Sequence, residues 1–132
     1  MLKSVDLSDY MLINPVKVKA DINLRDAMKS IISNKVSGVC VVDDNDVLLG
    51  VLSEMDCLSV VLDATYNEIG VGQVSEYMIK DVVVAHPHDN IIDIAQDMLL
   101  QKHRRRPVIQ DGVLIGLVSC RQLLAAVDKF NP

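Results

Sequence analysis

The stretch that decides the fold is LSDYM at residues 7–11, because it returns as VSEYM at residues 74–78. The offset between the two methionines is 78 − 11 = 67 residues. At the same offset, LRDA at residues 24–27 aligns with IIDI at residues 91–94. Self-similarity at a fixed period is the sequence signature of a repeated structural unit. The chain is therefore predicted to contain two copies of one unit.

A hairpin is predicted inside each copy. GVLS at residues 50–53 aligns with GLVS at 116–119, an offset of 116 − 50 = 66, so one residue is missing from the preceding loop. That loop is DDND in the first copy and QDG in the second, and both are turn-forming stretches between apolar runs. The predicted strands are residues 39–42 and 47–52 in the first copy, and 107–109 and 113–118 in the second.

A helix is predicted on each side of each hairpin. Apolar residues recur at three- and four-residue spacing before the hairpins, which is typical of an amphipathic helix. Asp21 and Asp89 are the predicted starts of these first helices, whereas Ser53 and Ser119 open a second helix that runs to about Leu62 or Val127. The periodic positions are Leu24, Ala27, Met28, Ile31 and Ile32, and Ile91, Ile94, Ala95, Met98 and Leu99.

The resulting order, strand, helix, strand, strand, helix, occurs twice. It predicts an α+β fold with α/β-type layers, divided into repeats at residues 1–66 and 67–132 and joined by a linker over residues 63–73. Each half alone would leave a sheet face poorly covered, so the repeats are expected to pack about a pseudo-twofold axis, with clefts in pairs.

Composition limits the class of protein. Half of the 132 residues are hydrophobic and only 3% are aromatic, which predicts one compact domain with an aliphatic core. The formal net charge of −5 disfavours nucleic acid and anionic membranes as main partners. No apolar run approaches the ~18 residues of a membrane span, and no signal peptide is recognisable. A cytoplasmic location is expected.

Candidate reactive residues are few. Cys40, Cys57 and Cys120 have no CxxC spacing, so reduced thiols are expected rather than disulfides or a zinc site. His86 and His88 have no obvious third ligand, and metal binding is not expected. No nucleophile with its base and orienting group can be assembled, and no phosphate-binding glycine-rich motif is present. The chain is therefore predicted not to be an enzyme and to need no catalytic cofactor.

GVLSEMD at residues 50–56 follows a pattern of Gly, two apolar residues, Ser or Thr, any two residues, then Asp. With the duplicated order of elements, this resembles the cystathionine-β-synthase (CBS) domain family from about residue 7 to residue 127. The resemblance implies a tandem pair of CBS repeats, a Bateman module, that binds an adenine nucleotide between the repeats and acts as a regulatory sensor. It also implies a disc-like homodimer and an unidentified regulated protein as partner.

The resemblance also implies a set of binding residues. Asp56 would accept hydrogen bonds from both ribose hydroxyls, which suits the two oxygens of a carboxylate, and Ser53 would help at the ribose or phosphate. Helix N-termini favour anions, and guanidinium groups hold phosphate oxygens in pairs, so AMP, ADP or ATP is favoured over a neutral nucleoside. The full set is Val51, Ser53 and Asp56, with Val82 and Val83 beside the adenine and Arg104, Arg105 and Arg121 near the phosphates.

The opposite cleft departs from the family pattern. Gln122 stands where Asp is expected, and Ser37, Gly38 and Met55 occupy the positions that match the three arginines. Without a carboxylate or cations, this cleft is expected to be weak or vacant. One good site per chain is predicted.

Two other interpretations stay open. Ser53-x-x-Asp56 and Ser119-x-x-Gln122 are acceptable capping patterns that need no ligand, which allows a ligand-independent dimerisation or scaffold domain. The arginines at 104–106 allow a nucleic-acid contact. Because a strand alternates its faces, these arginines cannot all line one cleft, and Arg106 is assigned to the surface or an interface.

Overall fold

The structure is a computed structural model that describes residues 4–129. Two compact units are formed, one by Val16–Val82 and the other by residues 4–15 together with 83–129. Within the described range the strands are β1 Leu12–Ile13, β2 Lys17–Lys19, β3 Gly38–Val42, β4 Leu48–Ser53, β5 Arg105–Gln110 and β6 Val113–Ser119; the helices are α1 Leu24–Asn34, α2 Glu54–Asn67, α3 Ile91–Gln101 and α4 Cys120–Asp128. The mixed α+β composition and the tandem order confirm the predicted fold class.

The unit Val16–Val82 holds a three-stranded sheet in the order β2-β3-β4, with β2 parallel and β4 antiparallel to β3. Helix α1 buries Leu24, Ala27 and Ile31, the residues at helical spacing, against the sheet residues Val39 and Val41. The core of this unit is aliphatic, as the composition predicted, and lies between the sheet and its two helices.

The other unit repeats this arrangement with one difference. Its sheet has the order β1-β6-β5, with both pairings antiparallel. The predicted first strand of the second repeat is reduced to one parallel bridge between Ala85 and Val108. Pro87 follows two residues later and has no N–H to extend a ladder, which explains why the strand stops there.

The segments that match at residues 7–11 and 74–78 have equivalent roles. Each contains a short 3₁₀ helix, Leu7–Asp9 or Val74–Glu76, and the segment then passes along the last strand of a hairpin. Leu12 pairs with Leu117 on β6, and Ile79 forms an antiparallel bridge with Val51 on β4. Residues 4–15 therefore pack with the second half of the chain, while the repeat boundaries at 1–66 and 67–132 stay a division by sequence similarity.

Several predicted boundaries are wrong by a few residues. The side chains of Asn23 and Asn90 cap α1 and α3, not those of Asp21 and Asp89. Asparagine is as good an N-cap as aspartate, so composition alone does not choose between neighbouring candidates. Helix α2 continues to Asn67, beyond the predicted end near Leu62, so the predicted linker over 63–73 is partly helical.

Candidate functional site

The N-terminus of α2 carries the motif pair Ser53 and Asp56. The Asp56 N–H donates to Ser53 Oγ at 3.0 Å, and the Ser53 N–H donates to Asp56 Oδ2 at 3.0 Å. This is the predicted capping box, formed by protein groups alone. It commits one carboxylate oxygen of Asp56, so Oδ1 is the atom left to accept from a ligand, and Asp56 is half-exposed.

The second motif forms the same cap with different chemistry. The Ser119 N–H donates to Gln122 Oε1 at 2.9 Å, and the Gln122 N–H donates to Ser119 Oγ at 3.2 Å. The Gln122 side chain is therefore left with its NH₂ group, a donor, where Asp56 is left with an acceptor. The two helix starts are alike in backbone structure and opposite in the hydrogen bonds that they can offer.

The remaining predicted residues of the unit Val16–Val82 are two valines. Val51 lies on β4 two residues before Ser53, so the two side chains share one face of the strand. Val82 is half-buried and its N–H donates to the Lys80 carbonyl at 3.0 Å. Val51 is thus grouped with the α2 motif, whereas Val82 lies at the end of this unit's chain segment.

The other unit gathers the three predicted arginines by backbone pairing. Arg105 on β5 lies opposite Ser119, and the Arg104 carbonyl accepts from the Cys120 N–H at 2.9 Å. Arg121 follows Cys120 on α4, so all three stand at the start of this helix. Arg104 and Arg121 are exposed, and Arg105 is half-buried. Val83, which is 42% exposed, belongs to the same unit.

The predicted position of Arg106 at the surface or an interface is wrong, because the residue is only 2% exposed. Its Nη1 lies 2.8 Å from Asp97 Oδ2, and its Nη2 lies 3.0 Å from His103 Nδ1. The repeat carries the signal that was missed, since the counterpart of Arg106 at 106 − 67 = 39 is Val39, which is also buried. Strand alternation places Arg105 and Arg106 on opposite faces of β5, and the face that carries Arg106 is buried.

The cysteines and histidines of residues 4–129 form no cluster that could hold a metal ion. Burial, and secondarily the negative charge of Asp56, raise the pKa of the Cys57 thiol, which makes a reactive thiolate harder to form. Cys120 is exposed, and its Sγ donates to the His103 carbonyl at 3.3 Å. No cluster of three or more His, Cys, Asp or Glu side chains within this range is placed to hold a metal ion.

A helix that spans a membrane needs about 20 predominantly apolar residues. Among the helices between residues 4 and 129, none combines sufficient length with sufficient apolar character to cross a bilayer.

Sequence relatives include larger proteins. An uncharacterised protein of Methanocaldococcus jannaschii, MJ1225, is 28% identical over 89% of this chain and 42% of its own length. Inosine-5'-monophosphate dehydrogenase of Nitrosopumilus maritimus is 32% identical over 99% of this chain but only 26% of its own length. The chain thus spans less than half the length of these two relatives.

Solved structures match over nearly the whole chain. The crystal structure of CBSX2 in complex with AMP, a protein of Arabidopsis thaliana, has a TM-score of 0.85 and 29% identity and covers 98% of this chain and 100% of its own. The acetoin utilization protein AcuB of Vibrio cholerae shares the fold at a TM-score of 0.83 and 23% identity, over 96% of this chain and 92% of its own. The profile of the CBS domain matches residues 7–63 and again residues 74–129. Two consecutive matches, together with the duplicated fold, show that this chain belongs to the CBS domain family as a tandem pair of repeats.

Proposed function

We propose that the chain is a regulatory sensor module that binds an adenine nucleotide, with Asp56 holding the ribose and Arg104, Arg105 and Arg121 holding the phosphates. The observation that carries this proposal is the Asp56 carboxylate. Its Oδ2 completes the helix cap, while Oδ1 stays available at a half-exposed helix start. A ribose diol needs such an acceptor, and a phosphate benefits from the partial positive charge of a helix N-terminus.

The likeness to CBSX2 supports the ligand class. CBSX2 was crystallised with AMP, and this chain shares its fold over its full length at 29% identity. Three guanidinium groups at the start of α4 favour a phosphorylated adenosine, since each can hold two phosphate oxygens at once. The ligand is therefore AMP, ADP or ATP, bound with the help of Val51, Ser53, Val82 and Val83.

One nucleotide per chain is the proposed stoichiometry. The Gln122 NH₂ group can donate to a ribose hydroxyl, but it cannot accept a hydrogen bond from one as the Asp56 carboxylate can. Ser37, Gly38 and Met55, which match the three arginines in the repeat, carry no charge. A second nucleotide would therefore find neither a carboxylate to hold its ribose nor arginines to hold its phosphates.

Asp56→Asn is the sharpest test, because it separates ligand binding from helix capping. The Asn amide oxygen can still accept from the Ser53 N–H, but the second acceptor becomes an NH₂ group. Calorimetry and thermal shift with AMP, ADP, ATP, NAD, GTP and S-adenosylmethionine would compare this variant with the wild type. Gln122→Ala is the matched control, since it removes the equivalent capping side chain from α4.

The expected result is binding of an adenine nucleotide at one per chain, lost in Asp56→Asn and kept in Gln122→Ala. Ligand at 100 times its Kd should stabilise the wild type by about 2.7 kcal/mol. Equal binding by wild type and Asp56→Asn would remove Asp56 from the site. If no adenosine compound stabilises the wild type, the sensor function itself is wrong.

The sensor is proposed to act on a protein partner and not as a catalyst. The raised pKa of the buried Cys57 thiol disfavours its use as a nucleophile. We place this module in the cytoplasm, where adenine nucleotides are abundant. Nucleotide binding can shift a conformational equilibrium only by its differential affinity for the two states.

A second candidate function, a ligand-independent dimerisation or scaffold domain, is favoured by the exposed face of α2. Four large apolar side chains recur on α2 at intervals of three and four residues, which places them on one side of the helix. They are Met55, Leu58, Leu62 and Tyr66, exposed to 77%, 60%, 61% and 88%. Both motif serines are already satisfied as caps without any ligand, which this function also requires.

Both functions allow a homodimer, and nucleotide binding by that dimer distinguishes them. We expect a homodimer by light scattering, and Leu58→Glu and Leu62→Glu should convert it to a monomer, whereas Ile32→Glu on α1 should not. A dimer that forms without nucleotide and never binds one would favour the scaffold. The nucleic-acid alternative loses one of its three arginines, since Arg106 is buried.

A further inference from the structure

A cavity of about 260 Å³ lies within the unit Val16–Val82, between the C-terminal half of α2 and the segment that follows it. Several of its lining residues are exposed, so the cavity opens to solvent and a small organic molecule can reach it. The residues that line it include Ser59, Val60, Asp63, Ala64, Ile69 and Tyr77. None of these residues belongs to the proposed nucleotide site.

The lining is apolar on one side and hydrogen-bonding on the other. Val60, Ala64 and Ile69 provide apolar surface, while Asp63 is an exposed carboxylate. Asp63 Oδ1 accepts from Asn67 Nδ2 at 3.0 Å, which holds the carboxylate at this helix end and leaves Oδ2 available. The Tyr77 hydroxyl has no hydrogen-bond partner among residues 4–129.

The charge in the lining of the cavity is negative. Asp63 is the charged residue among those that line it, and no Lys or Arg of residues 4–129 lines it. A cavity in such a region attracts cations and repels anions. Nucleotides and other phosphates are therefore poor candidates for it.

The other structural unit, residues 4–15 with 83–129, shows that these features are not a general property of the fold. Tyr10 is the counterpart of Tyr77, and its hydroxyl donates to the Ser4 carbonyl at 2.7 Å. At the offset of 66, the counterparts of Ser59 and Asp63 are Ala125 and Lys129. The unit of residues 4–15 and 83–129 thus has neither the carboxylate nor a tyrosine hydroxyl without a partner among the described residues.

We propose that this cavity binds a small organic cation, an ammonium group on a short apolar body. Asp63 neutralises the ammonium group, and the Tyr77 ring and hydroxyl supply a cation–π contact and a hydrogen bond. Val60, Ala64 and Ile69 cover the apolar body. Such a ligand would be a second effector of the module, bound by residues outside the proposed nucleotide site.

The test is an NMR titration of the ¹⁵N-labelled full chain with phenethylammonium, with neutral 2-phenylethanol as the matched ligand. We expect saturable shifts of amides within residues 59–77, at least tenfold weaker binding of the neutral ligand, and at least tenfold weaker binding by Asp63→Asn. Tyr77→Phe should weaken binding, whereas Tyr10→Phe should not. Asp63 is exposed, so the variant is expected to fold, and its amide spectrum checks this.

Equal binding of the charged and neutral ligands, equal binding by Asp63→Asn, or shifts that never saturate would overturn the proposal. The titration is repeated on Asp56→Asn, which should bind phenethylammonium like the wild type. Failure of the proposed nucleotide function would leave this result unchanged, so the two proposals can fail separately.

Discussion

Arg106 places a charge in the core of a repeat whose counterpart position holds a valine. Its side chain is 3% exposed and reaches Asp97 on α3, whose carboxylate is 41% exposed. A hydrogen bond from Gln101, and then that from Arg106, lower the pKa of Asp97. Arg106 Nε has no partner among the described residues, so the guanidinium is only partly satisfied. A buried cation of this kind is tolerated because Asp97 and His103 lie beside it.

Removing Asp97 alone should therefore lower the free energy of unfolding more than replacing both Asp97 and Arg106. Asp97→Ala leaves Arg106 buried without its carboxylate, and we expect a clear loss in the free energy of unfolding. Asp97→Ala combined with Arg106→Met should be more stable than Asp97→Ala alone, because the stranded charge is gone. Urea unfolding measures both, with Gln101→Ala as the control for the other partner of Asp97. A double variant less stable than Asp97→Ala would contradict this account.

At the scale of residues, the sequence predicts what is local. The two capping boxes at Ser53 and Ser119 follow from four-residue patterns and are confirmed. The burial of Arg106 depends on Asp97, which lies nine positions away on another element. No pattern of neighbours contains that information, although the alignment with Val39 points to it.

At the scale of elements, two glycines allow a chain segment to lie directly on a strand. A Cβ added at Gly116 would lie 2.9 Å from the Leu12 carbonyl oxygen and 2.7 Å from Met11 Sδ. A Cβ at Gly50 would lie 2.6 Å from the Ile79 carbonyl oxygen. The obstructing oxygens belong to the backbone, so a side chain at either position must push away the segment that covers it.

Gly50→Ala and Gly116→Ala should each destabilise the protein by about 1–3 kcal/mol through this overpacking. Gly70→Ala is the matched control, because nothing lies within 4 Å of its added Cβ. Thermal or urea unfolding of the three variants checks the expectation. If Gly50→Ala and Gly70→Ala had equal stability, the close approach of the covering segment would not matter.

An ion pair joins the N-terminal segment to the loop before α3. His88 Nδ1 lies 2.9 Å from Asp6 Oδ2. Hydrogen bonds, first from the Ser8 side chain and then from His88, lower the pKa of Asp6 to about 2, and the hydrogen bond to Asp6 raises the pKa of His88. Folding therefore favours both charged forms.

The stabilisation that this ion pair gives to the folded state should change with pH. It is fully present above the ordinary pKa of Asp, about 3.9, and below that of His, about 6.5. It is lost as the pH rises through the raised pKa of His88, and also as the pH falls towards 2. Urea midpoints between pH 5 and pH 9 should show an advantage of wild type over His88→Gln that disappears at high pH. His86→Gln serves as the control, and an advantage that is constant with pH would refute the assignment.

Element type was predictable and element limits were not. Helical spacing of apolar residues correctly predicts α1 and α3, but several polar residues precede each helix and any of them can cap it. The first strand of the second repeat was expected from its counterpart β2, yet Pro87 interrupts the ladder. The order of elements follows from periodicity, whereas their ends depend on single contacts.

At the scale of the whole molecule, chain order and spatial order differ. The unit Val16–Val82 is continuous, whereas the other unit is assembled from residues 4–15 and 83–129. Leu7 is fully buried in the core of that second unit, next to Ile91 and Val118. The predicted set of site residues is likewise divided, with Val51, Ser53, Asp56 and Val82 in one unit and Val83 and the arginines in the other. A repeat unit cut at the sequence boundary would therefore lack part of its own core.

Deletion of residues 1–15 should affect the two units unequally. It removes β1 from the edge of β6 and Leu7 from the core, and it uncovers Gly116. We expect amide hydrogen exchange to accelerate mainly within residues 83–129, with the largest change in β6, while β2, β3 and β4 keep most of their protection. Mass spectrometry of exchange in the full and shortened chains measures this directly. A loss of protection that is larger within residues 16–82 would show that the N-terminal segment supports the unit Val16–Val82. The assignment of residues 4–15 to the unit that contains residues 83–129 would then be wrong.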